Sequence, residues 1–546
     1  MKKLFITLVF CFFTLVTYGQ IGIGTINPHA SAVLDLESTN KGFLPPVMTN
    51  TEIDAIDNPA LGLIAYSTDE NCLTYYNGSK WMNVCTHLEI NTETDYTSSP
   101  TRLKANNIGA NDHFGISVTL SGDGNTLVVG AYGEASDALG VNNNNEPNSG
   151  AVYVYRKIGG AWSSPIRLKS PNPGNNDRFG WKQALSNDGN TLVVSSYWED
   201  SDASSSDNDN IANSGSIYVF KYSGGSWGTP TRLKSNNIGV GDAFGESLDL
   251  SGDGNTLVVA SPGDDSDGSG GNNNNITNSG AVDVFKFNGG VWGAPIRLKA
   301  NNTGEQDYFG YSCSLSEDGN ILAVGAYFEG SDAVGVDNEN AFRSGAVYIF
   351  KYSGSSWGTP IRLKSDNIES EDRFGTSVSL NADGNTLAVG AYLEDSDAQG
   401  VNNNNALNSG AVYIFTNNGS TWSNPTRLKA NNIGASDFFG WSVALNSDGN
   451  TLAVGAFYED SDAVGVDNDG SSNSGAVYVF RKTGGVWSLI TRLKANNIGN
   501  EDIFGGYISL SNDGNTLVVG SNQEDSDALG VDNDNASNSG AAYIFE

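Results

Sequence analysis

A 65-residue unit recurs seven times in this chain without an insertion or a deletion. Arg-Leu-Lys begins at Arg102, Arg167, Arg232, Arg297, Arg362, Arg427 and Arg492. In phase with it, Phe-Gly begins at Phe114, Phe179, Phe244, Phe309, Phe374, Phe439 and Phe504. Ser-Gly closes each unit at Gly150, Gly215, Gly280, Gly345, Gly410, Gly475 and Gly540. Such a period marks a repeat architecture, in which each unit buries an apolar face against its neighbours. The units are numbered copy 1 to copy 7 by their Phe-Gly elements.

Each copy holds four strand candidates. They read Phe-Gly-x-Ser-Val-x-Leu, Thr-Leu-Val-Val-Gly-Ala, Gly-Ala-Val-Tyr-Val-Phe and Trp-x-x-Pro-x-Arg-Leu-Lys, with small variations. Asp-Gly-Asn, starting at Asp123 in copy 1, supplies a tight turn between the first two, since Gly and Asn tolerate positive φ. The second strand is apolar almost throughout, as expected of a strand covered on both faces. Four strands per copy and seven copies predict an all-β fold, a seven-bladed β-propeller of four-stranded blades. The alternative is an open β-solenoid, whose repeats are usually shorter, roughly 20–30 residues. The last copy stops after its third strand, at Phe545-Glu546, whereas an orphan fourth strand, Pro100 to Ala105, precedes the first Phe-Gly. Pairing of these segments is expected to complete the seventh blade.

Taken together, these copies resemble FG-GAP repeats, the blade type of integrin α-chain propellers, and especially the bacterial variety. Asp-x-Phe-Gly-x-Ser-Val supplies the FG element, and Ser261-Pro262 in copy 3 comes nearest to the Gly-Ala-Pro element. The resemblance covers residues 96–546 and implies a propeller used for adhesion or ligand binding. Calcium-binding integrin blades carry Asp-x-Asp-x-Asp-Gly between their first two strands. Here that loop is Ser-Gly-Asp-Gly-Asn or similar, too poor in oxygen ligands for calcium, so those sites are not carried over.

Ahead of the repeats, residues 1–20 read as a signal peptide: Lys2 and Lys3, an apolar stretch from Leu4 to Val16, and a small-residue zone at Gly19. Export to the cell surface, envelope or exterior is expected, with no transmembrane segment in the mature chain. Residues 21–88 resemble a short N-terminal module of exported bacterial proteins and read as a small β-rich unit, with residues 89–95 as linker. Within it, symmetric pairing about Asn77-Gly78-Ser79-Lys80 sets Cys72 opposite Cys85, and an oxidising exterior favours a disulfide there. Cys313 has no partner and reads as a core residue.

Function classes narrow from charge and residue supply. A net charge of −33 repels phosphate backbones and argues against nucleic-acid binding. Only three histidines are present, His29, His87 and His113, and no Ser-His-Asp, Cys-His or zinc constellation stands out. The repeated carboxylates suit a structural or multivalent surface better than an asymmetric catalytic site. No cofactor is indicated. Asp460, Asp462, Asp467 and Asp469, with Asp525, Asp527, Asp532 and Asp534, offer oxygen ligands of the kind calcium takes, or else form solvated turns.

The long connections, second-to-third and fourth-to-first, gather on one rim. Two positions there vary between copies, the one after Phe-Gly and the one after the Gly-Ala-Tyr element. They place Trp181, Trp198, Tyr311, Trp441 and Tyr458 near the mouth of a central channel, with Glu246 beside them. Two roles fit these side chains: a binding surface for an extracellular glycan or protein, or gap-filling between blades of unequal packing. The alternatives to a non-catalytic binding protein are a polysaccharide lyase or glycosidase and a purely structural envelope propeller. Copy 2 departs most from the repeat, with Trp181, Lys182 and Trp198, but shows no complete catalytic cluster.

Overall fold

The computed structural model describes residues 21–23, 34–36, 43–56, 59–69, 72–76, 81–83, 96, 99–204, 208–268, 273–465 and 467–546. The signal peptide, the whole of the expected linker and Cys85 lie outside these residues. The chain divides into two units, Met1–Glu93 and Thr94–Glu546.

In the first unit a four-stranded sheet runs Val47–Met48, Ile64–Ser67, Cys72–Tyr76, Trp81–Asn83; its first pair is parallel and the other two are antiparallel. A single turn of helix, Asn50–Asp54, starts at Thr49, whose side chain and that of Glu52 form a reciprocal capping box. This sheet covers little of its own apolar surface, for Phe43, Leu44 and Leu61 are 66%, 79% and 77% exposed.

The second unit is built of repeated four-stranded antiparallel sheets, as in a β-propeller. In copy 1 the strands are Val118–Leu120, Thr126–Ala131, Ala151–Ile158 and Ile166–Leu168, paired in that order. The other copies repeat this order, and in copy 7 the fourth place is taken by Thr101–Leu103, with Tyr543 opposite Arg102. The Trp-containing fourth strand is shorter than the sequence suggests. In copies 1 to 5 the tryptophan pairs only in a separate two-residue stretch or bridge. Pro165, Pro230, Pro295, Pro360 and Pro425 interrupt the ladder because proline has no N–H to give it. Copy 6 has Ile490 at that position, and its fourth strand runs unbroken over Val486–Leu493.

Apolar cores lie between neighbouring sheets, each fed by the second and third strands of one copy and the Phe-Gly element of the next. One such core joins Val518, Ala542 and Ile544 of copy 7 to Phe114, Val129 and Tyr153 of copy 1. The two repeat dipeptides meet here. The N–H of each Phe donates to the Ser carbonyl of the preceding copy's Ser-Gly, as in Phe439 to Ser409 at 3.1 Å and Phe374 to Ser344 at 2.9 Å. Phe114 donates in the same way to Ser539 of copy 7, at 3.0 Å. The glycine of Ser-Gly lies against that phenylalanine's backbone, and any Cβ there would overlap its carbonyl oxygen.

At Gly410 this crowding adds to a φ of +81°, whereas Gly465, at φ +76°, has open space around it. Gly465→Ala should therefore cost about 1 kcal/mol, the left-handed backbone penalty alone. Gly410→Ala should cost about 3 kcal/mol or more, because backbone must also move. Equal urea midpoints for the two variants would show that the Phe-Gly/Ser-Gly contact does not set the spacing of the sheets.

Candidate ligand-binding site

Behind the Arg-Leu-Lys motif lies a buried ionic cluster in every copy. In copy 4, Glu329 accepts from Arg362 Nη1 at 3.1 Å and from Lys364 Nζ at 2.8 Å. Lys364 also donates to Ser344 Oγ at 2.8 Å, and Asn302 bridges Glu329 to the Tyr348 hydroxyl. Buried charges persist only when paired and fully hydrogen-bonded, which accounts for Arg, Lys, the second Asn of the Asn-Asn pair, Glu, Ser and Tyr recurring together. In copy 7 Glu524 takes its partners from the chain's other end, Arg102 at 3.3 Å and Lys104 at 2.6 Å. Copy 3 solves the same problem differently. Asp264 replaces the glutamate, Asp283 replaces the tyrosine, and Arg297 pairs with both, at 2.6 and 3.1 Å.

Each cluster sits beside a second buried acid. Burial raises Asp112, Asp177, Asp242, Asp307, Asp437 and Asp502 to about 7, each with help from the neighbouring cluster carboxylate. A glycine N–H three residues earlier pulls each partly back. Glu369 replaces that glycine in copy 5, and there burial, Glu394, Glu369 and Asp395 raise Asp372 to about 8. An acid whose folded pKa lies above its unfolded value of about 3.9 binds its proton more tightly when folded. Stability should therefore fall as pH rises from about 4 to 8. The thermal midpoint should be higher at pH 5.5 than at pH 8.5, and Asp372→Asn should raise the midpoint at pH 8.5. A midpoint that climbs with pH over this range would refute the assignment.

Six of the eight aspartates of the copy 6 and copy 7 loops are engaged by protein. Asp460 and Asp525 accept backbone N–H groups from Asn473 and Asn538 at 2.7 and 2.6 Å. Asp462 accepts from Asn468 at 3.0 Å, and Asp527 from Asn533 and Asn535 at 3.0 and 3.1 Å. Asp467 and Asp532 pair with Arg492 and Arg102, both at 2.9 Å. Asp469 and Asp534 line two acidic hollows. Among the described residues no group of three or more His, Cys, Asp or Glu is arranged to hold a metal ion. Turn formation and ion pairing thus occupy six of the eight side chains.

A different site forms where the first strands converge. A cavity of about 240 Å³ is lined by equivalent positions of all seven copies. Trp181, Glu246, Tyr311 and Trp441 line it from the position after Phe-Gly, joined by Thr376 and Gly506. Trp198 and Tyr458 stand in the aromatic clusters beside it. Trp198 lies under the Arg178 guanidinium at 3.4 Å, and Tyr458 packs on Phe457 and Phe438 at 4.2 and 5.0 Å. The residue before each Phe holds a left-handed φ, 57° at Arg178 and 58° at Phe438, and this strained turn orients it toward the same collar. Stacking is continuous where the large side chains fall: Tyr311 on Tyr327 at 3.9 Å, Trp181 on Tyr197 at 4.7 Å, Trp441 on Phe457 at 4.7 Å.

Below the collar the wall is serine in five of seven copies. Ser117, Ser312, Ser377 and Ser442 each donate to a glycine carbonyl of the next copy at 2.8–2.9 Å. Lys182 and Tyr507 replace serine in copies 2 and 7, and Lys182 Nζ lies 4.6 Å from the Tyr507 ring centre. Enclosure lowers the Lys182 pKa against the pull of Glu246, and raises that of Glu246 against Lys182, the Trp181 indole and Arg178. Cys313 is held by Ser247 Oγ at 3.1 Å, and burial pushes its thiol up to about 12. Deeper still, Asp249 accepts from the N–H groups of Leu250 and Leu315 and is raised by burial to about 6. At the far end Glu317 accepts from Ser447 at 2.8 Å and from Asn512. Of the residues singled out from sequence, Trp181, Tyr311, Trp441 and Glu246 come together. Lys182, already marked as a departure of copy 2, joins them, and so do Tyr507 and Gln183, which were unforeseen, although the serine column, read down the seven copies, carries Lys182 and Tyr507 as its departures.

The FG-GAP repeat profile matches residues 98–155, 162–220, 292–350, 357–415, 422–480 and 487–545, more than half of the chain. The chain belongs to the FG-GAP repeat family. Copy 3, with Asp264, Asp283 and Ser261-Pro262, falls in the gap between matches. The Phage tail like trimerisation region profile matches residues 22–100 of this FG-GAP repeat protein. No curated protein matches it. Among solved structures, "Structure of U3-55K" aligns at 12% identity with a TM-score of 0.47, over 82% of this chain and 99% of that one. The family supports a binding or structural role for the repeats. No helix among the described residues is long and apolar enough to cross a membrane.

Proposed function

We propose that this FG-GAP protein is an exported, non-catalytic binding protein that captures an extracellular glycan or protein on the aromatic collar around the shared cavity. The observation that carries this reading is the gathering of Trp181, Tyr311, Trp441 and Glu246 at one cavity mouth. Aromatic rings offer flat apolar area with polar edges at low entropy cost, as binding anchors do. The wall serines already spend their hydroxyl protons on backbone carbonyls, and a thiol raised to about 12 is a weak nucleophile, which supports binding over catalysis.

Seven sheets close into a seven-bladed propeller in this reading. Supporting it are the Phe114 to Ser539 hydrogen bond, the Glu524 cluster completed by Arg102 and Lys104, and a run of backbone bonds between neighbouring copies. That run includes Asn187 to Gly252, Glu317 to Ala382, Ser447 to Asn512 and Asn512 to Gly122. Residues 22–100 trimerise, as the matched region's description suggests, and other copies cover the exposed Phe43, Leu44 and Leu61. Three collars on one particle would raise avidity without new contacts. Negative-stain images of the full chain should show three seven-lobed rings per particle. Crescent-shaped heads would reject closure, and single heads at every concentration would reject the trimer.

Trp181→Ala and Trp441→Ala should lose capture of a cell-envelope extract while keeping most of their stability, because each ring is only half-buried. If both variants lose the ~3–5 kcal/mol expected of a buried tryptophan, the collar is packing rather than a binding surface.

A further inference from the structure

The charged groups of the cavity and the replacements of its wall serine are not spread around it. Lys182 and Gln183 come from copy 2, Glu246 from copy 3 and Tyr507 from copy 7, while copy 5 presents Thr376, Ser377 and Val378 and copy 6 presents Trp441, Ser442 and Val443. A structural plug needs no such bias, since five copies build the wall from serine. The asymmetry extends to the strand behind it. Ser195 and Ala260 carry side chains where the other five copies have glycine, and Ser195 Oγ accepts the Lys182 N–H at 3.0 Å.

We propose that this cavity binds one uncharged sugar ring, held between the aromatic walls and hydrogen-bonded by Lys182 and Glu246. The inference rests on the collar reading above and names its ligand class. Charge selects it. Lys182 already lies over the Tyr507 ring, so a ligand cation entering the cavity meets a resident one. Glu246 stands close enough to Lys182 to interact with it, so a ligand anion meets a carboxylate in a molecule of net charge −33. A neutral polyol incurs neither cost and offers hydroxyls that both donate and accept, matching an ammonium and a carboxylate side by side. Size agrees. A volume of 240 Å³ equals about eight waters, room for one hexose and not two. The rings of Trp181, Tyr311, Trp441 and Tyr507 provide the flat walls on which the C–H face of a pyranose can lie. Gln183 adds a polar group that is itself 93% buried, since its exposure is 7%. It donates through Nε2 to the carbonyls of Ser117 and Val128, leaving Oε1 without a protein partner.

Calorimetry and saturation-transfer NMR on the full chain, with galactose, glucose, mannose, N-acetylglucosamine, glucosamine and glucuronate as probes, test this. At least one neutral sugar should bind saturably in about the millimolar range, more tightly than glucosamine or glucuronate. Lys182→Ser and Tyr507→Ser restore the repeat's own residue, and Glu246→Thr installs that of copy 5, so all three should fold. Each should weaken the neutral sugar by about tenfold or more. Absence of saturable binding by any neutral sugar overturns the proposal, as does preference for a charged probe or indifference to all three substitutions. If envelope capture persists through those failures, the collar still binds a partner and only the sugar assignment falls.

Discussion

The contact between Phe-Gly of one copy and Ser-Gly of the copy before it sets the spacing of everything else. A backbone N–H to carbonyl bond and a glycine without Cβ let two main chains touch, so adjacent sheets stand at one separation. Side chains between them have one volume to fill, and the second and third strands fill it with Val, Leu, Ala, Tyr and Phe at nearly complete burial. Close-packed interiors tolerate little variation in such a gap, which explains seven repeats without a length change. A longer first strand or a bulkier residue at the Ser-Gly glycine would separate the sheets and open voids on both sides.

Charge burial is the second constraint, and it depends on the first. Glu329, Arg362 and Lys364 are each almost wholly enclosed, where an unpaired charge would be costly. Their stability rests on the third and fourth strands holding donors and acceptors in register. Copy 3 shows that the requirement is for balance rather than for particular residues. Shortening glutamate to Asp264 and exchanging tyrosine for Asp283 still satisfies Arg297, because one shorter acid and one added acid replace one long acid and a phenol. Copy 3, which carries this exchange, is also the copy that falls between the family matches.

How legible the molecule is from sequence follows from which interactions are local in the repeat. Strands, turns and the pairing of Thr101–Leu103 with Ala541–Phe545 are legible because periodic apolar patterning and an orphan segment carry them. The split of the fourth strand was legible in principle from Pro165 and its equivalents. Trp181, Tyr311 and Trp441 were found because aromatics at a variable position stand out by size. Trp198 and Tyr458 occupy an equally variable position one strand later, but stacking on Arg178 and Phe457 draws them out of the cavity lining, and no pattern in the sequence shows which way a ring will turn. The partners of the copy 6 and copy 7 aspartates are hidden from the sequence for the same reason. Asn473, Asn538, Arg492 and Arg102 lie 13 to 430 residues away, and only the fold brings them together.

Repetition also explains why function, if it resides in this cavity, must be written as departures. Seven equivalent first strands give a wall of like residues, and a symmetric wall can grip only a symmetric ligand or none. Lys182 in place of serine cannot make the short hydroxyl bond to the next copy that Ser117 and Ser377 make, and Ser195 behind it supplies a new acceptor for its backbone N–H. The substitution thus gives up one bond between copies and reorganises the strand behind it, a cost with no return in packing. Glu246, from the neighbouring copy 3, and Tyr507, from copy 7, compensate the ammonium by charge and by ring. Three copies have therefore changed together around one point, while copies 5 and 6 keep the repeat's pattern beneath the collar. Drift in single copies would scatter such changes among all seven, whereas a shared contact inside the cavity concentrates them in a few.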